Sequence, residues 1–374
     1  MIKLVLFFVA LIGIGVGIAG LTVAASGVIP IEASSGHWAV TEWVLQFSKQ
    51  RSVATHTIGL SLPPLDDPAL VLRGAGHYEG ACRPCHGSPE LREPRVPRAM
   101  LPPPPYLPKR IGDWEPKELF YIVKHGIKFT GMPAWPTQHR DDEVHAMTAF
   151  LVKFPALDAE SYHRLVYGEP TAHKLPPAIA GLAGDAGSGV PPAAVGCGRC
   201  HGDDGLGREN GAFPRLAGQR QEYLSNALAA YARDERHSGT MQPIAAALSE
   251  REQREVAQYY ARLPGHRPPR NAVTEGGRGR EIALRGVPAD RVPACASCHG
   301  PHPERENPAY PVLSGQFSDY LMLQLELFQR GQRGGSRYQH LMHKVVPRLA
   351  TEDARAVAAY YAALAPEDSA ARAP

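Results

Sequence analysis

The sequence has almost no excess of charge of either sign. Its 374 residues carry 40 Lys+Arg against 37 Asp+Glu, a formal net charge of +3, so the balance does not indicate a nucleic-acid partner. It also lacks a convincing run of alternating apolar and polar residues, the pattern of half-buried strands. No copper-binding cysteine cluster, phosphate-binding loop or nucleophile arrangement is recognisable, so no catalytic residue is predicted.

Cysteine is scarce and is used in one pattern only. The six cysteines form three pairs, and a histidine follows each pair immediately: Cys82-Arg-Pro-Cys85-His86, Cys197-Gly-Arg-Cys200-His201 and Cys295-Ala-Ser-Cys298-His299. Two thiols three positions apart on a helical turn can add to the two vinyl groups of one haem, and the next residue is then placed to bind the iron. The pattern therefore predicts three covalently bound haem c groups, with His86, His201 and His299 on the irons.

Three other uses of paired cysteines fit this sequence less well. Zinc ribbons need two nearby pairs per metal, whereas these pairs lie about a hundred residues apart. A thioredoxin-like redox pair needs a βαβ context, and plain disulfides would leave the repeated histidine unexplained.

The N-terminus carries a long uncharged segment. It runs from Leu4 to Ile31, and about 20 apolar residues are enough for a helix to cross a bilayer. We expect an uncleaved anchor, and the competing interpretation is a signal peptide cut near Ala25. Lys3 before the segment and Glu32 after it favour an N-terminus that stays inside, with the rest of the chain exported.

Two Pro/Gly-rich stretches divide the exported part into three modules, each with one Cys-x-x-Cys-His motif near its start and a helical pattern at its end. The predicted units are the anchor or signal peptide 1–31, a juxtamembrane segment 32–65, the first module 66–165, a linker 166–192, the second module 193–263, a linker 264–274 and the third module 275–366.

The second and third modules are an internal repeat. Pro214-Arg-Leu-Ala-Gly-Gln219 after the second motif returns as Pro311-Val-Leu-Ser-Gly-Gln316 after the third. The two prolines have two interpretations: they hold a carbonyl that orients the second ring nitrogen of the axial histidine, or they are plain turn residues.

Each module ends in an apolar stripe with the i, i+3, i+4, i+7 spacing of a buried helix face. The stripes are Val144, Met147, Thr148 and Leu151, then Val256, Tyr259, Tyr260 and Leu263, then Val357, Tyr360, Tyr361 and Leu364. Ser249 with Glu252 predicts a capping box for the second of these helices, and Asp141 with Asp142 is expected to cap the first and to oppose its dipole. The exported part is predicted to be mostly α-helical.

Methionine is the expected sixth ligand, because a thioether suits an iron that holds an electron at fairly high potential. The second module contains only Met241. In the first module, Met132 within Gly131-Met-Pro-Ala-Trp135 is preferred over Met100, which is close to the haem motif, and Met147, which belongs to the helix stripe.

The third module offers methionines and two histidines as candidates for the distal ligand. The repeat aligns Met342 with Met241 and so selects Met342 over Met322. His340 and His343 flank Met342, and either histidine is an alternative ligand that would lower the potential of the iron.

These motifs resemble class I c-type cytochromes, in which a helix leads into Cys-x-x-Cys-His and a distal methionine precedes a packed C-terminal helix. Residues 193–366 resemble the tandem diheme cytochromes of bacterial periplasms, through Pro-x-Leu-x-Gly-Gln, Met241-Gln-Pro-Ile and the paired tyrosines near each end. Residues 66–165 resemble haem domains of membrane-bound dehydrogenases and of oxidase-associated cytochromes, through Gly131-Met-Pro-Ala-Trp. Two departures are that Ala186–Ala194 leaves little room for a first helix in the second module, and that Met342-His343-Lys344 replaces Met-Gln-Pro.

The resemblance implies three tandem class I cytochrome c domains behind a transmembrane helix, on the periplasmic side of a bacterial inner membrane. The leading hypothesis is a respiratory relay that passes single electrons from a quinol-oxidising or dehydrogenase complex toward a terminal oxidase or a soluble acceptor. One alternative is the cytochrome subunit of a membrane-bound alcohol, aldehyde or sugar dehydrogenase. Another is a haem enzyme of the peroxidase type, in which one iron has lost its distal ligand.

Overall fold

The protein is described by a computed structural model for residues 2–91, 94–168, 190–208, 211–266, 277–300 and 307–365. Within these ranges it consists of α-helices, short 3-10 turns and loops, and the only β contact is an isolated bridge between Val287 and Val292. The prediction of a mostly α-helical chain is therefore confirmed. Much of both predicted linkers, at 169–189 and 267–274, lies outside the described residues, as does part of the segment 186–194.

The described α-helices follow one another in chain order. They are α1 Ile2–Ala25, α2 Ala39–His56, α3 Pro68–Ala81, α4 Arg83–His86, α5 Leu107–Arg110, α6 Pro116–His125, α7 Asp141–Lys153, α8 Ala159–Tyr167, α9 Gly198–His201, α10 Gln221–Ala232, α11 Met241–Ala246, α12 Glu250–Arg262, α13 Arg278–Arg285, α14 Ala296–His299, α15 Ser318–Gln329, α16 Gln339–Val345 and α17 Thr351–Ala363.

Helix α1 is long and apolar enough to cross a membrane, and none of its residues is buried against the rest of the protein. A signal sequence near an N-terminus meets the same criteria. Helix α2 leaves Trp38 and Trp43 exposed at its start, whereas His56 at its end stacks on Tyr121 of α6, with 5.4 Å between the ring centroids. The C-terminal end of α2 is therefore fixed to the first module.

The core of the first module forms where α3 crosses α7. Tyr78 of α3 packs against Phe150 and Phe154, with ring centroids 5.1 and 4.8 Å away, and all three side chains are completely buried. Helix α8, which the sequence patterns did not predict, adds Tyr162 and Val166 to the same cluster. This cluster includes residues on both sides of the predicted 66–165 boundaries, such as Leu60 and Val166.

The second and third modules each enclose a smaller apolar cluster around their last helix. In the third module α13 packs against α17, where Ile282, Val357 and Tyr361 are buried. In the second module the described residues before Cys197 form only a 3-10 turn, Pro192–Ala194. This agrees with the limited room expected there for a first helix.

The two predictions for helix capping have different outcomes. Ser249 and Glu252 form the predicted capping box at α12. The capping role predicted for Asp141 and Asp142 is wrong, because Arg140 is the N-cap residue of α7 and makes no side-chain cap. Both aspartates do lie in the first turn of α7, where their charge opposes the helix dipole as predicted. Asp142 instead binds the Arg140 guanidinium, and Asp141 pairs with Lys124 at 2.6 Å.

The α3–α7 crossing depends on Gly74. A Cβ built on Gly74 would overlap the carbonyl oxygen of Ala146 and stand 2.6 Å from Cβ of Phe150. Alanine in place of glycine normally stabilises a helix interior by about 0.5–1 kcal/mol, but here we expect Gly74→Ala to lower the free energy of unfolding by about 1–3 kcal/mol through overpacking. Urea denaturation of the haem-loaded chain measures this. Gly80→Ala in the same helix is the control, because its Cβ would meet only the end of the Arg199 side chain; an equal loss in both variants would contradict the account.

Candidate metal centres

Each Cys-x-x-Cys-His motif forms a single helical turn. In α4, α9 and α14 the backbone N–H of the histidine donates to the carbonyl of the first cysteine, at 2.9, 2.9 and 3.0 Å. Two cysteines three positions apart on such a turn point to the same side. All six cysteines are half-buried and none is paired in a disulfide, so each is available for a thioether bond to haem.

The ring of each motif histidine is oriented by a proline carbonyl further along the chain. Nδ1 of His201 lies 2.9 Å from the carbonyl oxygen of Pro214, and Nδ1 of His299 lies 3.1 Å from that of Pro311. The orienting role predicted for the two prolines is therefore confirmed. With Nδ1 engaged as a donor, Nε2 is the nitrogen available to a metal.

The first module uses the same device with a residue that the sequence analysis missed. Nδ1 of His86 lies 2.9 Å from the carbonyl oxygen of Pro105. Pro105 stands in a run of four prolines, and no Pro-x-Leu-x-Gly-Gln segment marks it. Its only sequence signal is a proline located after the motif, and the intervening loop is longer than in the other two modules.

Burial sets the protonation of these groups in the polypeptide. It raises the pKa of Cys82 to about 12 and those of Cys197 and Cys295 to about 11. Burial lowers the pKa of His201 and of His299, although the carbonyl hydrogen bonds oppose this. A neutral imidazole is the form that binds a metal.

A glycine ends each motif turn, and two of these turns are anchored to a buried tyrosine. Gly87 and Gly300 have φ of 73° and 87°, the left-handed region that favours glycine. The hydroxyl of Tyr78 donates to the carbonyl of Gly87 at 2.8 Å, and that of Tyr361 donates to the carbonyl of Gly300 at 3.1 Å. The core helices thus fix the residue that follows the motif histidine in the first and third modules.

The three methionines predicted as distal ligands have half-buried side chains. Met132 lies in a loop whose backbone is held by Thr130, Met241 is the first residue of α11, and Met342 lies within α16. The methyl group of Met100 lies against Gly131, beside Met132, so the first module brings a second thioether to this loop.

The competing residues have other surroundings. Met147 is 1% exposed in the first core, and Met322 packs into the third. The His343 ring meets the edge of Phe328, with 5.3 Å between the centroids, and His340 is exposed.

Two buried arginines suit a haem, which carries two carboxylates. Arg236 and Arg333 occupy equivalent positions in the repeat and are 5% and 6% exposed. Arg236 donates to the Tyr320 hydroxyl at 3.2 Å, and Arg333 donates to the Gln324 side chain at 2.8 Å. Within the part of the chain that the structure describes, neither arginine pairs with a carboxylate. Buried guanidinium groups need anions, so this donor set is compatible with haem carboxylates.

The second and third modules hold each other's histidine loops. Gln219 bonds to both the backbone N–H and the carbonyl of Val312, at 3.0 and 2.6 Å. Gln316 does the same to Arg215, at 3.0 Å for both bonds. Arg215 and Val312 each follow the proline whose carbonyl bonds to a motif histidine, so the two glutamines form a reciprocal clamp.

Comparisons with known proteins agree with this chemistry. A family model described as "Cytochrome C oxidase, cbb3-type, subunit III" matches residues 69–151. A thiosulfate dehydrogenase electron acceptor from Thiomonas intermedia is 35% identical over 185 residues, 48% of this chain and 85% of that protein. Cytochrome c4 from Azotobacter vinelandii is 32% identical over 191 residues, 49% of this chain and 90% of that protein. A solved structure of cytochrome c4 from Acidithiobacillus ferrooxidans is 30% identical and covers 45% of this chain and 98% of that chain, with a TM-score of 0.40.

The chain carries pairs of cysteines on one helical turn, and the histidine after each pair bonds through Nδ1 to a proline carbonyl. These features define a c-type cytochrome, a protein that binds haem covalently and transfers electrons. The chain belongs to the family that includes cytochrome c4 and the thiosulfate dehydrogenase electron acceptors. The resemblances inferred from the sequence, to tandem diheme cytochromes and to oxidase-associated haem domains, are thereby confirmed.

The tyrosine anchors predict a measurable loss of stability. Tyr361→Phe leaves the buried Gly300 carbonyl without its donor, which should lower the free energy of unfolding by about 1–2 kcal/mol. Tyr360→Phe is the matched control, because Tyr360 is the neighbouring tyrosine and is only half-buried. Urea denaturation of both haem-loaded variants measures the difference. Equal stability of the two would show that the hydrogen bond does not hold the turn.

Proposed function

We propose that the protein is a membrane-anchored periplasmic triheme cytochrome that relays single electrons in a respiratory chain. The observation that carries the proposal is the threefold recurrence of one arrangement, a Cys-x-x-Cys-His turn whose histidine donates Nδ1–H to a proline carbonyl. In the proposal His86, His201 and His299 bind the irons on one side. Met132, Met241 and Met342 bind them on the other, and bound haem supplies the reversible one-electron chemistry.

The contacts between modules support a relay. Arg199, inside the second motif, donates to the carbonyl of Gly76 in α3 at 2.8 Å. The second and third modules meet at the reciprocal glutamine clamp of Gln219 and Gln316. The second motif and the histidine loops of the second and third modules are therefore in contact with a neighbouring module, which favours short distances between the centres.

The membrane part of the proposal rests on α1. The helix is long enough to span a bilayer and is not buried in the protein. Domains of this class are typically periplasmic in bacteria, so an anchor at the N-terminus would keep the haem modules near membrane-bound partners. In this proposal the donor is a quinol-oxidising or dehydrogenase complex, and the acceptor is a terminal oxidase or a soluble cytochrome.

The names of two relatives favour a second candidate for the donor. Proteins from Thiomonas intermedia and Stutzerimonas stutzeri are both called thiosulfate dehydrogenase electron acceptor. The present chain would then take electrons from a dehydrogenase that oxidises a sulfur compound, or serve as the cytochrome subunit of a dehydrogenase complex. Co-purification of a stoichiometric dehydrogenase from native membranes favours this candidate over the general relay.

Haem counting tests the number of centres. After expression in a host that matures c-type cytochromes, we expect the intact mass to exceed that of the polypeptide by three haems. Replacing both cysteines of one motif by alanine, for example Cys197 and Cys200, should remove one haem and leave two. A mass equal to that of the bare polypeptide, or a pair variant that retains all its haem, would contradict the proposal.

Spectra of methionine variants test the distal ligands. We expect Met132→Ala, Met241→Ala and Met342→Ala each to remove about one third of the methionine-to-iron charge-transfer band, since one thioether serves each iron. Met322→Ala is the control and should leave the band intact. If Met342→Ala also leaves it intact, His340 or His343 is the third ligand. A high-spin signal in the unaltered protein would instead indicate an open iron and the enzyme alternative.

A further inference from the structure

The first module reaches into the segment that precedes Met241 in the second module. Glu143, in the first turn of α7, is 6% exposed. Its carboxylate accepts hydrogen bonds from the Ser238 hydroxyl and from the backbone N–H of Gly239, both at 2.6 Å. A buried carboxylate is costly unless it is satisfied, and two of its donors come from the neighbouring module. Glu143 and this segment are therefore stabilised together.

The Ser238 hydroxyl connects Glu143 to Met241. It donates to the Glu143 carboxylate and accepts the backbone N–H of Met241 at 3.0 Å. Ser238 is 3% exposed, so water does not compete easily for either bond. Because the carboxylate fixes the hydroxyl hydrogen, an oxygen lone pair remains directed to the N–H at the start of α11.

Trp135 and Arg140 complete the contact from the side of the first module. Nε1 of Trp135 donates to Glu143 at 3.2 Å, and the indole covers Gly239 so closely that a Cβ there would overlap the ring. Arg140 pairs with Glu143 at 3.2 Å and donates to the carbonyl of His237 at 2.8 Å. Trp135 is three residues from Met132, so the proposed methionine loops of the first two modules pack against each other.

The third module has no equivalent contact within the described part of the chain. Its counterparts of Ser238 and Gly239 are Gln339 and His340, which lie in α16. The Gln339 side chain accepts the backbone N–H of Ser336, in the same module. Among the described residues, only Met241 is thus supported by a buried carboxylate of a neighbouring module, and Met342 provides an internal comparison.

We propose that Glu143 is a positioning residue, through which docking of the first module holds the segment that presents Met241 to the second haem. The inference rests on the proposed function, in which Met241 is a distal ligand. Loosening this segment should weaken the thioether bond, and since methionine ligation raises the reduction potential, one potential of the three should fall.

Denaturant titration of the charge-transfer band in the haem-loaded full-length protein tests the proposal. The difference between the unaltered protein and Met241→Ala defines the share of the band that belongs to Met241. Glu143→Gln keeps the side-chain volume but replaces one accepting oxygen by a donating NH2 group. In either orientation of the amide, this NH2 group faces another donor, either the Gly239 N–H or the Arg140 guanidinium. In Glu143→Gln we expect the part of the band that belongs to Met241 to disappear at a lower urea concentration than in the unaltered protein. The parts that belong to the other two methionines should disappear at unchanged urea concentrations. In a redox titration, one of the three reduction potentials should fall.

Ser238→Ala is a second variant that removes the connecting hydroxyl without altering the first module, and we expect the same selective loss. Ser238→Thr keeps a hydroxyl, so the urea midpoint for loss of the Met241 part of the band should return close to that of the unaltered protein. Glu79→Gln is the matched control, because Glu79 is equally buried but binds Tyr162 and Tyr167 of α8, at 2.7 and 2.6 Å. It should leave the Met241 share unchanged.

The outcomes separate the inference from the ligand assignment. If Met241→Ala removes no part of the band, the assignment of Met241 is wrong and the inference falls with it. If Met241→Ala removes its share but Glu143→Gln and Ser238→Ala leave its midpoint unchanged, only the inference is overturned. The inference is also overturned if both variants lower the urea midpoints of all three parts of the band equally, because that result would reflect general destabilisation.

Discussion

The structure depends on fixing an imidazole ring on a short helical turn. A histidine that follows Cys-x-x-Cys can rotate about two side-chain bonds, and only one orientation presents Nε2 to a haem held by the two thiols. In this protein a hydrogen bond from Nδ1 to a proline carbonyl selects that orientation, at 2.9, 2.9 and 3.1 Å in the three modules. The carbonyl must itself be held in place, and much of the surrounding fold serves this purpose.

The supports of these loops come from neighbouring modules as well as from the local core. Gln219 and Gln316 bind the residues that follow the orienting prolines, each across the boundary between modules. Glu143 reaches from the first module toward the segment before Met241. The second module is therefore held on its histidine side by the third module and on its methionine side by the first. In such an arrangement the properties of one centre depend on how its neighbours dock, which suits a chain of centres that exchange electrons.

Local patterns identified the motifs, the mostly helical fold and the capping box at Ser249, because each depends on residues within a few positions of one another. The orienting role of Pro105 could not be predicted, because its loop is longer than those of the other modules and its segment has no counterpart in the repeat. The sequence pattern predicts that Asp141 and Asp142 cap α7, and this local interpretation is incomplete. Arg140 is the N-cap residue and pairs with Asp142, and Glu143 in the same turn has its partner in Ser238, 95 residues along the chain. Contacts over such separations arise only from the packing of modules, which spacing in one sequence does not encode.

An experimental structure of the haem-loaded protein at near-atomic resolution is the most direct test of the central claim. The account predicts that Nε2 of His86, His201 and His299 each binds an iron while Nδ1 stays within hydrogen-bond distance of Pro105, Pro214 and Pro311, respectively. An iron bound through Nδ1, or a motif histidine turned away from its proline carbonyl, would contradict it.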